Sequence, residues 1–202
     1  TPIHPPQPIA ESDWRALLEH GGFPEPFVRR DRGFSRRWRE LRRSQLLRDE
    51  VRELTRIQEL DQLATLGQLL EERSAEQLVY STMARAVRVS ENTIRRWISM
   101  FCSLYFGFLL RPWYRNVTKG LRKEPKWYLR DWSGIEDEGR RCETMIACHL
   151  LKAVESWADL GDCLVWAPRR YSVVLREQHR RSSPGVACPA SALAAVSHWA
   201  PA

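Results

Sequence analysis

Lysine is scarce in this chain. Four lysines stand against 28 arginines, and none follows Lys152. Acids run out as well, Glu177 being the last, so chemistry that needs a lysine or a carboxylate further along has no side chain to supply it. No G-x-x-x-x-G-K-[ST] occurs, which removes the backbone cradle and the lysine that hold nucleotide phosphates. The chain is therefore not expected to hydrolyse ATP by itself. The five cysteines (Cys102, Cys142, Cys148, Cys163, Cys188) form no C-x-x-C pair and have no histidine at ligand spacing; reduced, inert thiols are expected. Neither a metal nor a cofactor is expected. The longest apolar run, around Met100 to Leu110, is broken by Ser103 and Gly107, too short for a bilayer, so no membrane partner is expected. Thr1-Pro-Ile-His-Pro-Pro-Gln-Pro has no basic segment leading into an apolar one, so nothing suggests secretion and a cytoplasmic location is expected.

What is present argues for a folded protein. With 202 residues, 43% of them hydrophobic, and nine tryptophans, the chain can bury one large core or two small ones. A net charge of +7 invites a nucleic-acid reading, but its distribution weakens that reading. From Arg169 onward five arginines face the single acid Glu177, which places +4 of the +7 in the last 34 residues. Between Arg29 and Arg56 eleven arginines face five acids. Asp49, Glu50 and Glu53 lie at helical spacing from several of them, so a solvated, salt-bridged face is preferred there to a phosphate-binding stripe.

The most informative stretch runs from Val79 to Asp131. Met83, Ala84 and Val87 share one face of a short helix, Arg88-Val89-Ser90 makes a tight connection, and Ser90 is suited to cap the next helix. Ile94, Trp97, Ile98, Phe101, Leu104 and Tyr105 then recur at helical spacing. Asn92, Thr93, Arg95 and Arg96 remain near the N-terminal end, where a recognition helix meets a DNA groove. Phe106–Trp113 and Lys126–Leu129 look strand-like, and the basic connection Asn116–Pro125 between them would be a wing. In it Lys119, Arg122 and Lys123 are the candidates for phosphate contact. Winged helices also serve as connectors and docking modules, so a protein partner stays open beside DNA.

Elsewhere a Pro-rich leader precedes a short helix around Trp14, stopped by Gly21-Gly22, with Pro24 and Pro26 keeping the next segment extended. Phe34–Leu54 reads as a helix burying Trp38, Leu41, Leu46, Leu47, Val51 and Leu54. Ile57–Glu72 is a helix with Leu60, Leu63, Ala64, Leu66, Leu69 and Leu70 inward. Glu138–Asp159 is another, with Met145, Ile146, Leu150, Val154 and Trp157 on its apolar face and Gly161 ending it. Cys163–Trp166 and Tyr171–Leu175 are candidate strands. The expected fold is mainly α with a small β component. Its parts are a leader and linker helix (1–24), a helical platform (25–78), a winged helix-turn-helix (79–134), a helix with strands (135–178) and a poorly ordered tail (179–202).

Several phrases occur together in order: Gly21-Gly-Phe-Pro-Glu25, Arg48-Asp-Glu-Val-Arg-Glu-Leu54, the Val79–Ile98 element, Arg111-Pro-Trp-Tyr114, Lys123-Glu-Pro-Lys-Trp-Tyr-Leu-Arg-Asp131, and Gly139-Arg-Arg-Cys-Glu-Thr-Met-Ile-Ala-Cys-His-Leu-Leu-Lys152. The chain thereby resembles, over roughly residues 10 to 176, the C-terminal part of bacterial and archaeal AAA-type ATPases carrying the domain of unknown function numbered 4143. The resemblance implies helices, a winged helix and then a fold similar to PD-(D/E)xK nucleases, all following an ATPase domain. The missing phosphate loop suggests a truncated product. On the family's pattern Glu143 stands at the helix acid and Asp131 at the acid of the preceding strand motif. The E-V-D-F and E-x-K motifs expected after Leu175-Arg176 are absent, so these two acids are a site remnant and no metal-assisted cleavage is expected. Glu177-Gln-His-Arg-Arg-Ser-Ser-Pro-Gly-Val-Ala could arise from a shifted reading frame in a GC-rich gene.

The structural reading of the same residues has Asp131 capping a turn with Ser133, and Glu143 pairing with Arg140 or Arg141. His149 is read as a core histidine rather than a ligand. Trp127, Tyr128 and Trp132 are read as core rather than as stacking platforms for single strands, and Ser81 and Ser90 as caps. The leading expectation is a non-catalytic, DNA-binding remnant of a P-loop ATPase family protein. Its rivals are an interaction module that docks on an ATPase chain or self-associates, and a nuclease completed by a partner.

Overall fold

The structure is a computed structural model that describes residues 8–46, 60–112, 123–156, 162–167 and 172–177. It is mainly helical, with two small antiparallel sheets.

Three helices open the chain: α1 (Glu11–His20), α2 (Pro24–Arg29) and α3 (Arg32–Gln45). Gly21 ends α1 at φ 84°, a left-handed conformation natural to glycine, and its N–H returns to the Leu17 carbonyl. The segment after it is helical rather than extended, which corrects the expectation from Pro24 and Pro26. Pro24 begins α2 and Pro26 lies in its first turn, where backbone N–H groups have no helical partner and a proline loses nothing. Asp31 caps α3 by accepting from the Phe34 N–H. Leu41 is 60% exposed, contrary to expectation. The inward side of α3 carries the buried Ser35, which bonds the buried His20 ring at 2.9 Å, while Arg42 lies over the rings of Phe23 and Trp38. Long arginine side chains cover apolar surface in this way, so the leucine is not needed there. Leu47, Val51 and Leu54, with the acids Asp49, Glu50 and Glu53, lie outside the described residues.

From α4 (Leu60–Glu72) onward the chain builds the larger core. Leu63, Leu66 and Leu70 are fully buried, whereas Ala64 faces solvent. Next come α5 (Tyr80–Val87), α6 (Glu91–Ser103), β1 (Gly107–Leu110) and β2 (Lys126–Leu129). β1 and β2 pair antiparallel with Gly107 opposite Leu129 and Leu110 opposite Lys126. A third short strand segment adds to this sheet before α5. Ala75 N–H donates to the Trp127 carbonyl, Trp127 N–H to Glu76, and Leu78 N–H to Pro125, at 2.7–3.0 Å, with Gln77 bridged to Lys126. The order helix, short strand, helix, helix, two-stranded hairpin is that of a winged helix. It begins at α4, earlier than the motif at Val79 suggested.

Trp127 anchors this unit. It is fully buried and its indole N–H donates to the Leu70 carbonyl at 3.0 Å. Only a residue without a side chain fits opposite, because a Cβ on Gly107 would lie 2.2 Å from the Trp127 ring. Trp127, Tyr128 and Trp132 are all core, as expected. Tyr105 is not: α6 ends at Ser103, and Tyr105 is 65% exposed.

The chain continues through α7 (Glu138–Ser156) to β3 (Asp162–Ala167) and β4 (Ser172–Glu177), an antiparallel pair in contact with α7. Met145, Ala147 and Cys148 are buried in α7 while Ile146 is 36% exposed, so its inward face is turned by about one residue from the expected stripe. The side chain of Val154, together with Trp157, Gly161 and residues 178–202, lies outside the described residues. Among the described residues no helix is long and apolar enough to cross a membrane.

Candidate functional site

The helix-turn-helix is α5 and α6 with a turn in which Arg88 adopts a left-handed φ of 61°. Ser90 caps α6, accepting from the Thr93 N–H at 3.1 Å, as its sequence position suggested. Ser81 does not cap: Val79 precedes α5 without a side-chain bond. Val87, Ile94, Trp97, Ile98 and Phe101 hold the two helices together from within. Asn92, Arg95 and Arg96 are exposed along the outer side of α6. Thr93 is half-buried and its hydroxyl is bound to Ser90 at 2.9 Å, so its polar group is committed to the cap. Lys123 is exposed at the end of the wing; Lys119 and Arg122 lie outside the described residues.

Two further cations belong to this surface and escaped the sequence reading. Arg85 and Arg88 are exposed on α5 and its turn, and their alternation with the buried Ala84 and Val87 is the signal that could have found them. Among the described residues no carboxylate pairs with Arg85, Arg88, Arg95, Arg96 or Lys123, whereas Arg15, Arg29, Arg30 and Arg32 in the N-terminal helices all have acid partners. Glu91, in the first turn of α6, is an opposing charge. The Arg95 guanidinium lies 3.9 Å from the centre of the Tyr80 ring. Such an exposed contact contributes about 0.5–1 kcal/mol, less than a bidentate charge-assisted pair to a base or phosphate, so Arg95 can leave it for a ligand.

The two acids singled out in the sequence have separate tasks. Asp131 accepts from the Ser133 N–H and hydroxyl at 3.0 and 2.7 Å, which is the turn cap expected of it. Glu143 pairs with neither Arg140 nor Arg141. Its Oε1 accepts from Lys126 Nζ at 2.8 Å and from the Tyr128 hydroxyl at 2.6 Å, while Arg140 bonds Glu76 at 2.8 Å. A lysine on β2 and a glutamate on α7 are 17 residues apart, a pairing that helical spacing could not reveal. Burial, with the neighbouring Glu143 charge, keeps Tyr128 protonated far above the usual phenol range. Among the described residues no group of three or more histidine, cysteine or acidic side chains is placed to hold a metal.

His149 is exposed on α7, its ring 5.6 Å from that of Trp132. It is therefore an edge residue rather than the core histidine expected. The part of its ring packed against Trp132 is desolvated, which lowers its pKa, and Lys152 adds to the shift. Among the described cysteines, burial pushes Cys148 up to about 12 and Cys102 up to about 11 and raises Cys142, leaving little thiolate at neutral pH.

Burial raises the Asp131 carboxyl above its ordinary value of 3.8, although the bonds from Ser133 and the charges of Arg39 and Arg42 oppose the shift. As pH rises past 3.8 the unfolded chain gives up this proton before the folded one does, so the stability it contributes is lost upward through the folded value. Asp131→Asn keeps an acceptor for Ser133 and removes that loss. Urea unfolding of the two proteins should show the variant gaining relative to the parent between pH 3.5 and pH 7. A constant difference would mean that Asp131 titrates normally.

The fold and this surface define a winged-helix protein with an arginine-bearing helix-turn-helix. The family described as Domain of unknown function (DUF8612) matches residues 11–135, and the chain belongs to that family. The matched region starts with α1 and ends just after the Asp131–Ser133 turn, so it takes in the N-terminal helices and the whole winged helix. No curated protein and no solved structure matches.

Proposed function

We propose that this chain is a non-catalytic DNA-binding module, the winged-helix part of a protein related to the AAA-type P-loop ATPases carrying the domain of unknown function 4143. One observation carries the reading. Arg85, Arg88, Arg95 and Arg96 stand exposed on the two helices and the turn of the helix-turn-helix without a carboxylate partner among the described residues. Exposed guanidinium groups on a recognition helix bind phosphate with release of counterions and read guanine edges through their fork. The engagement of Glu143 with Lys126 and Tyr128, and of Asp131 with Ser133, supports structural rather than catalytic roles for both acids.

Fluorescence anisotropy of a labelled duplex across a salt series tests it. Binding should fall steeply with salt, and Arg95→Ala/Arg96→Ala should flatten the logarithmic slope by about 2, since each lost phosphate contact removes roughly 0.9. Asn92→Ala should change preference among duplex sequences more than overall affinity. Wild-type protein that binds no duplex at low salt, yet sediments as a complex with a second copy or another protein, would put docking in place of DNA contact.

A further inference from the structure

A cleft of about 450 Å³ is lined by α3, the end of α4, the residues after α6, and the end of β2 with its following turn. Its volume lies within the range of small-molecule sites, roughly 300–1,000 Å³. Arg36, Arg39, Arg42, Arg43, Arg130 and Arg140 line it. The first four recur at helical spacing, which places them on one side of α3. Like charges repel along such a row, so the helix alone does not favour it and an anion between the groups would relieve it. Arg43, Arg130 and Arg140 have acid partners in Glu71, Glu155 and Glu76. Among the described residues no carboxylate pairs with Arg36, Arg39 or Arg42. Ser133 holds Arg39 by accepting its N–H at 3.1 Å, and Phe23 backs Arg42 with its ring centre 4.7 Å away.

Glu40, Glu71, Glu72, Asp131 and Glu136 share the lining. Glu71 is engaged by Arg43, and Asp131 by the Ser133 N–H and hydroxyl.

The aromatic wall is the second observation. Tyr105 lines the cleft and is 65% exposed, yet its backbone is held at φ 55°. It follows the end of α6 in a Schellman turn, with Phe106 N–H returning to Phe101 and Tyr105 N–H to Cys102. Glycine is the usual residue at such a position, and a side chain there costs about 1 kcal/mol or more. Its exposed ring lies in the cleft wall, 5.5 Å from the Arg130 guanidinium, with Phe106 beside it in the lining.

We propose that this cleft binds a small phosphorylated ligand with a planar ring, of nucleoside monophosphate size, its phosphate held by Arg36, Arg39 and Arg42 and its ring against Tyr105. The guanidinium forks bind the phosphate through side chains, a different device from the backbone cradle this chain lacks, and no bond of the ligand is broken.

Calorimetric titration of the full chain with AMP, adenosine and inorganic phosphate tests the proposal. AMP should bind saturably, with adenosine and phosphate each at least about tenfold weaker, because each supplies half of the contacts. Arg36→Ala and Arg39→Ala should each weaken AMP about tenfold, the scale of one charge-assisted interaction. Tyr105→Gly relieves the backbone, so it should leave the melting temperature unchanged or higher while weakening AMP and leaving phosphate unaffected. Arg95→Ala/Arg96→Ala should leave AMP binding as it is, separating this site from the DNA surface. Absence of saturable binding at millimolar AMP, or full affinity in both arginine variants, overturns the proposal. Phosphate binding as tightly as AMP, or AMP binding untouched by Tyr105→Gly, overturns the ring-bearing ligand.

Discussion

Trp127→Ala is expected to cost about 3–5 kcal/mol, the range for a large aromatic removed from a packed core. The indole is fully buried and meets α4 through its bond to the Leu70 carbonyl, β1 at Gly107, and the ring of Phe106 at 6.3 Å. Its backbone pairs with both Ala75 and Glu76, so the cavity opens where the third strand segment, the hairpin and α4 meet. Urea unfolding followed by tryptophan fluorescence and by circular dichroism measures it. Gly107→Ala, which drives a methyl into the same ring and against the Tyr128 carbonyl oxygen, should cost about 1–3 kcal/mol alone and somewhat less in the Trp127→Ala background, where the ring contact is relieved but the carbonyl contact stays. Additive costs would mean that the Tyr128 carbonyl sets the penalty.

Glu143→Leu is expected to cost about 1–3 kcal/mol, the range for a buried donor that loses its acceptor. The Lys126 side chain is 8% exposed and loses its carboxylate, and the Tyr128 hydroxyl loses its acceptor. Lys126→Met should cost less, since Glu143 is 30% exposed and keeps both solvent and Tyr128. The double variant Lys126→Met/Glu143→Leu should recover part of the loss, because an apolar pair replaces an ionic one without leaving a charge behind. Denaturant midpoints across this cycle decide the matter. A double variant no better than Glu143→Leu would show that Glu143 stabilises the fold through Tyr128 alone. DNA binding by the three variants should follow their folded fraction, since none of these residues lies on the arginine surface.

The second test acts on the joint between the winged helix and α7, and this joint is the part least visible in the sequence. In the sequence Glu143 has Arg140 and Arg141 within three residues on its own helix, and near neighbours of this kind are what a sequence displays. Lys126 reaches it only because β2 lies against α7. Tyr105 continued the apolar rhythm of α6, and nothing local said that the helix stops at Ser103 and turns the ring outward. The row Arg36, Arg39, Arg42 and Arg43 was legible as a stripe, but its expected acid partners were later in the same helix. In the structure Arg43 reaches across to Glu71 on α4, and Arg42 settles over Phe23 and Trp38.

What the sequence determined by itself was local. The helix-turn-helix with its Ser90 cap, the β2 strand at Lys126–Leu129, the helical phases of α4 and α5, and the core roles of Trp127, Tyr128 and Trp132 follow from periodicity, capping chemistry and side-chain size, which operate within one turn or one strand. The tertiary structure decided the rest: the third strand segment at Ala75–Leu78, the Lys126–Glu143–Tyr128 contact, the exposure of Leu41, Tyr105 and Ile146, and the arginine cleft. Each depends on which distant surface arrives opposite a residue. A hydrogen-bonded strand edge, a buried charge or a cleft wall is completed by partners far away in the chain, and no local pattern encodes them.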